Sequence, residues 1–269
     1  MLFLARDGWD LHYHIDGGGP RTLVLINGLA DDLETWGGQM DAFLGAGYRV
    51  VRFDNRGIGK SGAPAGSYTS AVMAADAKAL VDHLALGRFD LLGVSMGGMI
   101  AQEYAIRYGA DLRSVLLCCT YAAPGPFCSR MFALWQDMAP AIGVPAVMRD
   151  VTLWAFTEEF FDTRGAELAV FEAAMATLDQ SVPAYLSQLH AIQAHDATAR
   201  LARLGMPCLV LAGETDILIP VALSRALHRA IPGARWATTR GGHACLWEHP
   251  QEFNVAVLEF LGSVPEARS

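Results

Sequence analysis

Positive charge is in short supply. Twenty Lys and Arg face 28 Asp and Glu, a formal net charge of −8, so neither a nucleic-acid groove nor a patch for an anionic membrane surface is expected. Long apolar runs are missing too. Stretches such as MAPAIGVPAVM are short and broken by proline, and none reads as a bilayer span. The opening MLFLARDGWD reaches Arg6 and Asp7 too soon to read as a secretory leader. Cysteine is sparse and odd in number: Cys118, Cys119, Cys128, Cys208 and Cys245 have no metal-ligand spacing. Buried free thiols in a reducing, cytoplasmic setting are therefore expected, with no metal. Internal repeats and low-complexity tracts are also absent.

What is present is a rather apolar globular chain of 269 residues, 52% hydrophobic and 18% charged, long enough for one large core. From 21 to 121 short β-rich runs alternate with helical patterns. TLVLI (22–26), YRVVRF (48–53), FDLLG (89–93) and LRSVLLCC (112–119) have strand length and are apolar throughout, as strands covered on both faces require. Helices are predicted near 33–45, 70–85 and 96–108. The opening FLARDGWDLHYHID reads as an antiparallel pair turning at Asp7-Gly8, followed by a glycine loop. Residues 122–205 break this rhythm with helical, aromatic-rich patterns. MPCLVLAG (206–213) and ARWATT (234–239) then resume the sheet, with helices between and after them. The expectation is an α/β fold, a mostly parallel sheet flanked by helices. Its core would comprise 1–121 and 206–269, with a helical insertion at 122–205.

Within this frame GVSMGG (93–98) sits where a strand ends and a helix begins. A serine on so tight a turn is held in a strained conformation that lifts its hydroxyl clear of the sheet. Gly93 and Gly97 remove the side chains that would collide there. A serine hydroxyl needs a base, and the base an orienting acid. His243, in TTRGGHACLWEHP, and Asp216, in LVLAGETDILIP, both follow predicted strands at the sheet's C-terminal edge, where such sheets do chemistry. Glu214 is the competing acid. The position after the 112–119 strand reads Cys-Cys-Thr and offers no carboxylate. Oxyanion donors are expected from the Met96 amide, at a helix start, and from the Leu29 amide after the Asn27-Gly28 turn. His12, His14, His83, His228 and His249 read as background, while His190 and His195 lie in the insertion and could border a pocket.

Together, FDNRGIGKS (53–61), GVSMGG (93–98), AGETDILIP (212–220) and GGHACLWEHP (241–250) resemble the α/β-hydrolase superfamily in order and spacing. The resemblance implies Ser95 as nucleophile, His243 as base, Asp216 as orienting acid, Leu29 and Met96 as oxyanion hole, and 122–205 as a cap over the site. It makes Asp54, Arg56, Gly57 and Ser61 architectural, and Glu248 and Pro250 likewise. NGLADDLETW is similar to the corresponding loop of 3-oxoadipate enol-lactonases, which points to esters or lactones. WEHPQEFN looks like the tail of meta-cleavage-product C–C hydrolases, but those carry tryptophan directly after the histidine, where this chain has Ala244. A serine nucleophile also argues against haloalkane dehalogenases and epoxide hydrolases, which use aspartate.

The expected activity is acyl transfer on a small, mainly apolar carboxylic ester or lactone, without cofactor. The alternatives are C–C hydrolysis, perhydrolysis or cofactor-free oxygenation on the same residues, and a non-catalytic binding module. The insertion's aromatic residues suggest an apolar pocket wall, for which Trp135, Phe132 and Trp154 are the chosen substrate contacts. Arg130, Arg149 and Arg164 could meet a substrate carboxylate, though a solvated arginine is the commoner case.

Overall fold

The computed structural model describes residues 1–265. Its sheet is built from β1 (Leu2–Arg6), β2 (Trp9–Asp16), β3 (Arg21–Ile26), β4 (Tyr48–Phe53), β5 (Phe89–Val94), β6 (Leu112–Cys118), β7 (Cys208–Gly213) and β8 (Arg235–Thr239). The spatial order is β1-β2-β4-β3-β5-β6-β7-β8. The two N-terminal strands run antiparallel, and β4 through β8 pair in parallel. Every residue of β5 and β7 is buried, which is why these runs are apolar without alternation.

Helices cover both faces. α1 (Gly37–Gly45) and α11 (Pro250–Ser263) pack on one, α2 (Ser70–His83) and α3 (Met96–Tyr108) on the other. Thr69 starts α2 by accepting the Val72 N–H at 3.1 Å. Between β6 and β7 the chain forms only helices: α4 (Pro126–Ile142), α5 (Val144–Ala155), α6 (Glu158–Thr163), α7 (Gly165–Ala176) and α8 (Val182–Gln193). After β7 come α9 (Val221–Ala230), β8 and the one-turn α10 (Cys245–Glu248), which leads into α11. No described helix is long and apolar enough to cross a membrane. All five cysteines are free and buried.

The chain goes outward from β3 to β4 and then returns to lay β5 on the other side of β3. The loops leaving β3 and β5 therefore diverge at their C-terminal ends and open a crevice, the place where such sheets take ligands. The register puts Ile26 opposite Gly93, so the loop at Asn27 and the turn at Ser95 stand side by side.

The loop after β4 supports that crevice from below. Asp54, 1% exposed, accepts the Leu33 N–H and the Lys60 N–H, each at 2.8 Å, and holds His12 Nδ1 at 2.7 Å. Ser61 Oγ donates to the Asp54 carbonyl and accepts the His12 N–H. At Gly59, where φ is +61°, a Cβ would stand 2.4 Å from Asp54 Oδ2, so only glycine fits. Arg56 pairs with Asp76 through two bonds of 2.6 and 2.7 Å and lies over the Trp9 and Tyr68 rings. Asp54→Ala strands the buried Leu33 N–H, the part-buried Lys60 N–H and the His12 ring at once. A loss of about 3–5 kcal/mol is expected, read as a lowered denaturant midpoint at unchanged slope. An unchanged midpoint would show that this carboxylate does not hold the loop.

Candidate active site

Ser95 occupies the turn between β5 and α3 with φ 55° and ψ −118°, a left-handed backbone that costs a non-glycine residue energy. The surroundings enforce it. The Ser95 N–H donates to the Cys118 carbonyl at 2.9 Å, and the Thr120 hydroxyl donates to the Ser95 carbonyl at 2.8 Å. Gly93 and Gly97 are there for close approach. A Cβ on Gly97 would lie 2.1 Å from the Ile26 carbonyl oxygen, and one on Gly93 would lie 2.1 Å from that of Gly97.

Across the crevice, His243 Nδ1 is 2.8 Å from Asp216 Oδ2. The Asp216 side chain is wholly buried, that of His243 11% exposed. Asp216 Oδ1 also accepts the Ile219 N–H at 2.8 Å, which leaves the carboxylate one orientation and presents Oδ2 to the ring. Glu214, the competing acid, is exposed and takes a bond from Thr238 instead. Ser95 and His243 border one cavity. The Ser95 hydroxyl has no hydrogen-bond partner among the described residues.

Leu29 lies on the same cavity, and the Met96 N–H, first of α3, has no intrahelical acceptor. Asn27 fixes the Leu29 loop. Wholly buried, it accepts the Trp36 Nε1–H at 2.6 Å and donates to the Phe53 carbonyl at 3.0 Å. Gln188 of α8 was not visible to sequence reasoning. Its Oε1 accepts the Ala30 N–H at 3.2 Å, where Ala30 has φ 58°, and its Nε2 donates to the Arg56 carbonyl at 2.8 Å. A buried glutamine midway along an amphipathic helix carried no local signal.

Glu248 similarly holds the His243 loop. Its Oε1 accepts the Gly242 N–H at 2.7 Å, and its Oε2 accepts from the Thr157 hydroxyl between α5 and α6. The Ala244 N–H donates to the Ala155 carbonyl at 2.9 Å. The helices between β6 and β7 are thus fastened to the loop that carries the imidazole.

The cavity wall is apolar: Phe132 and Trp135 of α4, Met148 of α5 and Phe171 of α7 belong to it, as do Leu218 and Trp247. Trp154 stands apart from this wall, a correction to the sequence expectation. Its ring meets Phe127 6.0 Å away, its Nε1–H donates to Asp150 at 3.2 Å, and it does not line the cavity. The arginines take the solvated alternative. Arg130 and Arg149 are exposed, Arg164 pairs with Glu167, and none reaches the cavity.

Asp31, in the Leu29 loop, does line it. Burial, reinforced by the like charge of Asp32, pushes its carboxyl up to about 7, against the opposing pull of His243 and the nearby Gly28 N–H.

His195 also pairs with a serine, Ser70, whose Oγ is 2.9 Å from its Nδ1. Neither borders the cavity, nor does His190. The other ring nitrogen faces Gln102 at 3.4 Å, so no carboxylate orients the imidazole. Burial pushes His195 down to about 4. The pair joins α2 to α3 and the insertion.

One group of potential metal ligands occurs among the described residues. Cys119, Asp216 and His243 each offer an atom, all within 4.8 Å of one another. An ion there would have to displace the Asp216–His243 bond. Cys119 itself packs against Cys245, 3.5 Å between sulfurs, and this contact and burial hold its thiol well above the ordinary range.

The chain is similar along nearly its whole length to several known proteins. A protein of Pseudomonas savastanoi pv. phaseolicola, provisionally named carbamate hydrolase RutD, is 30% identical over 244 residues, covering 90% of this chain and 93% of that protein. The crystal structure of the enol-lactonase from Burkholderia xenovorans LB400 superposes with a TM-score of 0.90 at 32% identity, over 97% of this chain and 100% of that one. A thermophilic esterase from Thermogutta terrifontis gives a TM-score of 0.85 at 26% identity, over 95% and 94% of the two chains. The family model for the alpha/beta hydrolase fold matches residues 21–250, and the chain belongs to that family.

Proposed function

We propose that this protein is a serine hydrolase that cleaves a small, mainly apolar carboxylic ester or lactone through an acyl-enzyme. The observation that carries the reading is the shared cavity: a serine on a strained turn and a carboxylate-oriented imidazole open onto one apolar space. In this reading Ser95 Oγ attacks the substrate carbonyl while His243 Nε2 takes its proton. Asp216 holds the ring in the tautomer that leaves Nε2 free and steadies the imidazolium. The developing oxyanion rests on the Leu29 and Met96 amides. His243 returns the proton to the leaving alcohol, and water then repeats the sequence on the acyl group. The helices α4–α8 serve as the cap, with Phe132 and Trp135 as the substrate's apolar contacts.

The relatives support acyl transfer in two forms, since an enol-lactone and a carbamate are both carbonyl compounds with an oxygen or nitrogen leaving group. The apolar wall favours the ester or lactone. Ala244 after the histidine keeps C–C hydrolysis in second place. A fluorophosphonate probe together with a short-chain p-nitrophenyl ester tests the proposal. One label per chain on the Ser95 peptide, with loss of ester turnover in step, is expected. No label and no turnover would remove the enzyme reading in favour of a binding module.

A further inference from the structure

The acyl-transfer steps above make no use of Asp31, yet of the described residues on the cavity wall only Asp31 and His243 carry ionisable side chains. Asp31 stands close to the reacting centre. The point where a Gly28 Cβ would sit lies 2.6 Å from Asp31 Oδ2 and 3.5 Å from Ser95 Cβ. The carboxyl and the serine are therefore separated by no more than those two spans. Asp31 also borders the outer groove beside the cavity, and Phe171 and Trp247, with rings 5.2 Å apart, border both spaces with it. These three side chains make the neck between groove and cavity.

We infer that Asp31 is a specificity-determining residue, which keeps carboxylate-bearing acyl chains out of the cavity and reserves it for neutral or cationic substrates. The inference rests on the ester-hydrolase reading above and names the substrate class of that site. Among the described residues no arginine or lysine lines the cavity to offset the carboxyl. Like charges ~6 Å apart at an effective dielectric of about 20 repel strongly enough to change binding roughly 100-fold. An acyl chain ending in a carboxylate meets that repulsion twice, on passing the neck and again in the transition state.

The exclusion strengthens as Asp31 loses its proton, and burial places that change near neutrality. The charged and titratable groups around Asp31 come from several elements. Asp32 and Glu34 lie on its own loop and the turn that follows, and His243 lies on the loop after β8. Across the groove are His12 of β2, Asp54 and Lys60 after β4, and Asp179 after α7. Asp54 and His12 are paired, Glu34 is engaged by Arg52, and Lys60 is the one lysine or arginine among the described groove residues. The groove therefore adds negative charge.

The test compares kcat/KM for p-nitrophenyl butyrate and p-nitrophenyl hemisuccinate, near-isosteric esters of which the second carries a carboxylate. The wild-type protein is expected to prefer the neutral ester by about 100-fold at pH 8.5 and by less than about 10-fold at pH 6. The same catalytic steps act on both substrates, so any effect of pH on them cancels in the ratio. In D31N the preference should fall at least about tenfold at pH 8.5 and lose its pH dependence. An equal rate on both esters in the wild-type protein, or a preference unmoved by D31N, overturns the inference and leaves the esterase reading standing. The wild-type pH series keeps the test independent of whether D31N folds. Turnover of neither ester overturns both readings.

Discussion

Replacing Ser95 by alanine is expected to lower kcat on a short-chain ester by ~10⁴–10⁶, with KM little changed. In the proposed mechanism the Ser95 hydroxyl carries the acyl group. Leu29, Val94, Met99 and the aromatic wall supply surface, and the other hydroxyl lining the cavity among the described residues, that of Thr152, is engaged in donating to the Arg149 carbonyl at 2.7 Å. What survives would be the oxyanion amides and binding, worth a residual ~10³–10⁴ over water. The fold should tolerate the change. The turn is held by backbone bonds to Cys118 and by the Thr120 hydroxyl, none of which involves the Ser95 side chain. Alanine must still adopt φ near 55°, at a cost of order 1 kcal/mol that serine pays as well.

The control is Ser70→Ala, which removes the hydroxyl of the other buried serine–histidine pair. Its expected effect on kcat is within about threefold, with a modest loss of stability from the orphaned His195 nitrogen. Steady-state kinetics on both variants, with a burst experiment to follow acyl-enzyme formation, gives the comparison. Activity surviving Ser95→Ala within tenfold, or collapsing in Ser70→Ala, would move the nucleophile to α2.

Much of this was legible in the sequence because the signals are local. Strands buried on both faces leave unbroken apolar runs, and β4 at 48–53 and α3 at 96–108 fall where the residues place them. The turn at Ser95 is legible for the same reason: two glycines flank one serine where a strand hands over to a helix. Asp216 and His243 each follow a strand, so topology brings them to the same edge without any long-range signal. Boundaries shifted by a residue or two, as at β7, which starts at Cys208 and not at 206, where Pro207 cannot donate to a ladder.

What the sequence could not convey was orientation. Trp154 and Trp135 both sit on amphipathic insertion helices, and composition does not say which faces the cavity. The Asp150 carboxylate accepts from both indoles, at 2.8 Å from Trp135 and 3.2 Å from Trp154, yet only Trp135 also reaches the wall. Nothing local in the sequence singles out Asp31 or Gln188. Their roles depend on groups distant in the chain, the Ala30 N–H and the Arg56 carbonyl for Gln188 and Ser95 for Asp31, and such contacts leave no periodicity to read.

Asp216→Asn carries the second large effect, a fall in kcat of about 10³–10⁴ with the geometry intact. The carboxylate accepts at both oxygens, from His243 Nδ1–H through Oδ2 and from the Ile219 N–H through Oδ1. An asparagine can keep its carbonyl oxygen on Ile219, which turns its NH₂ toward the imidazole. Nδ1 must then accept, so the ring carries its proton on Nε2 and can no longer take one from Ser95. The lost rate is thus a matter of tautomer, not of folding, and the variant should melt close to the wild-type protein. Because Ser95 remains in place, the fluorophosphonate label should still form, but about as much more slowly as kcat has fallen. Glu214, exposed and engaged by Thr238, cannot substitute, so Glu214→Gln should leave kcat within about twofold. If Asp216→Asn kept more than a tenth of wild-type turnover, the imidazole would have to be oriented by another group. Cys119 is the only other potential ligand atom grouped with Asp216 and His243 among the described residues, and its buried, raised-pKa thiol is a poor stand-in for a carboxylate.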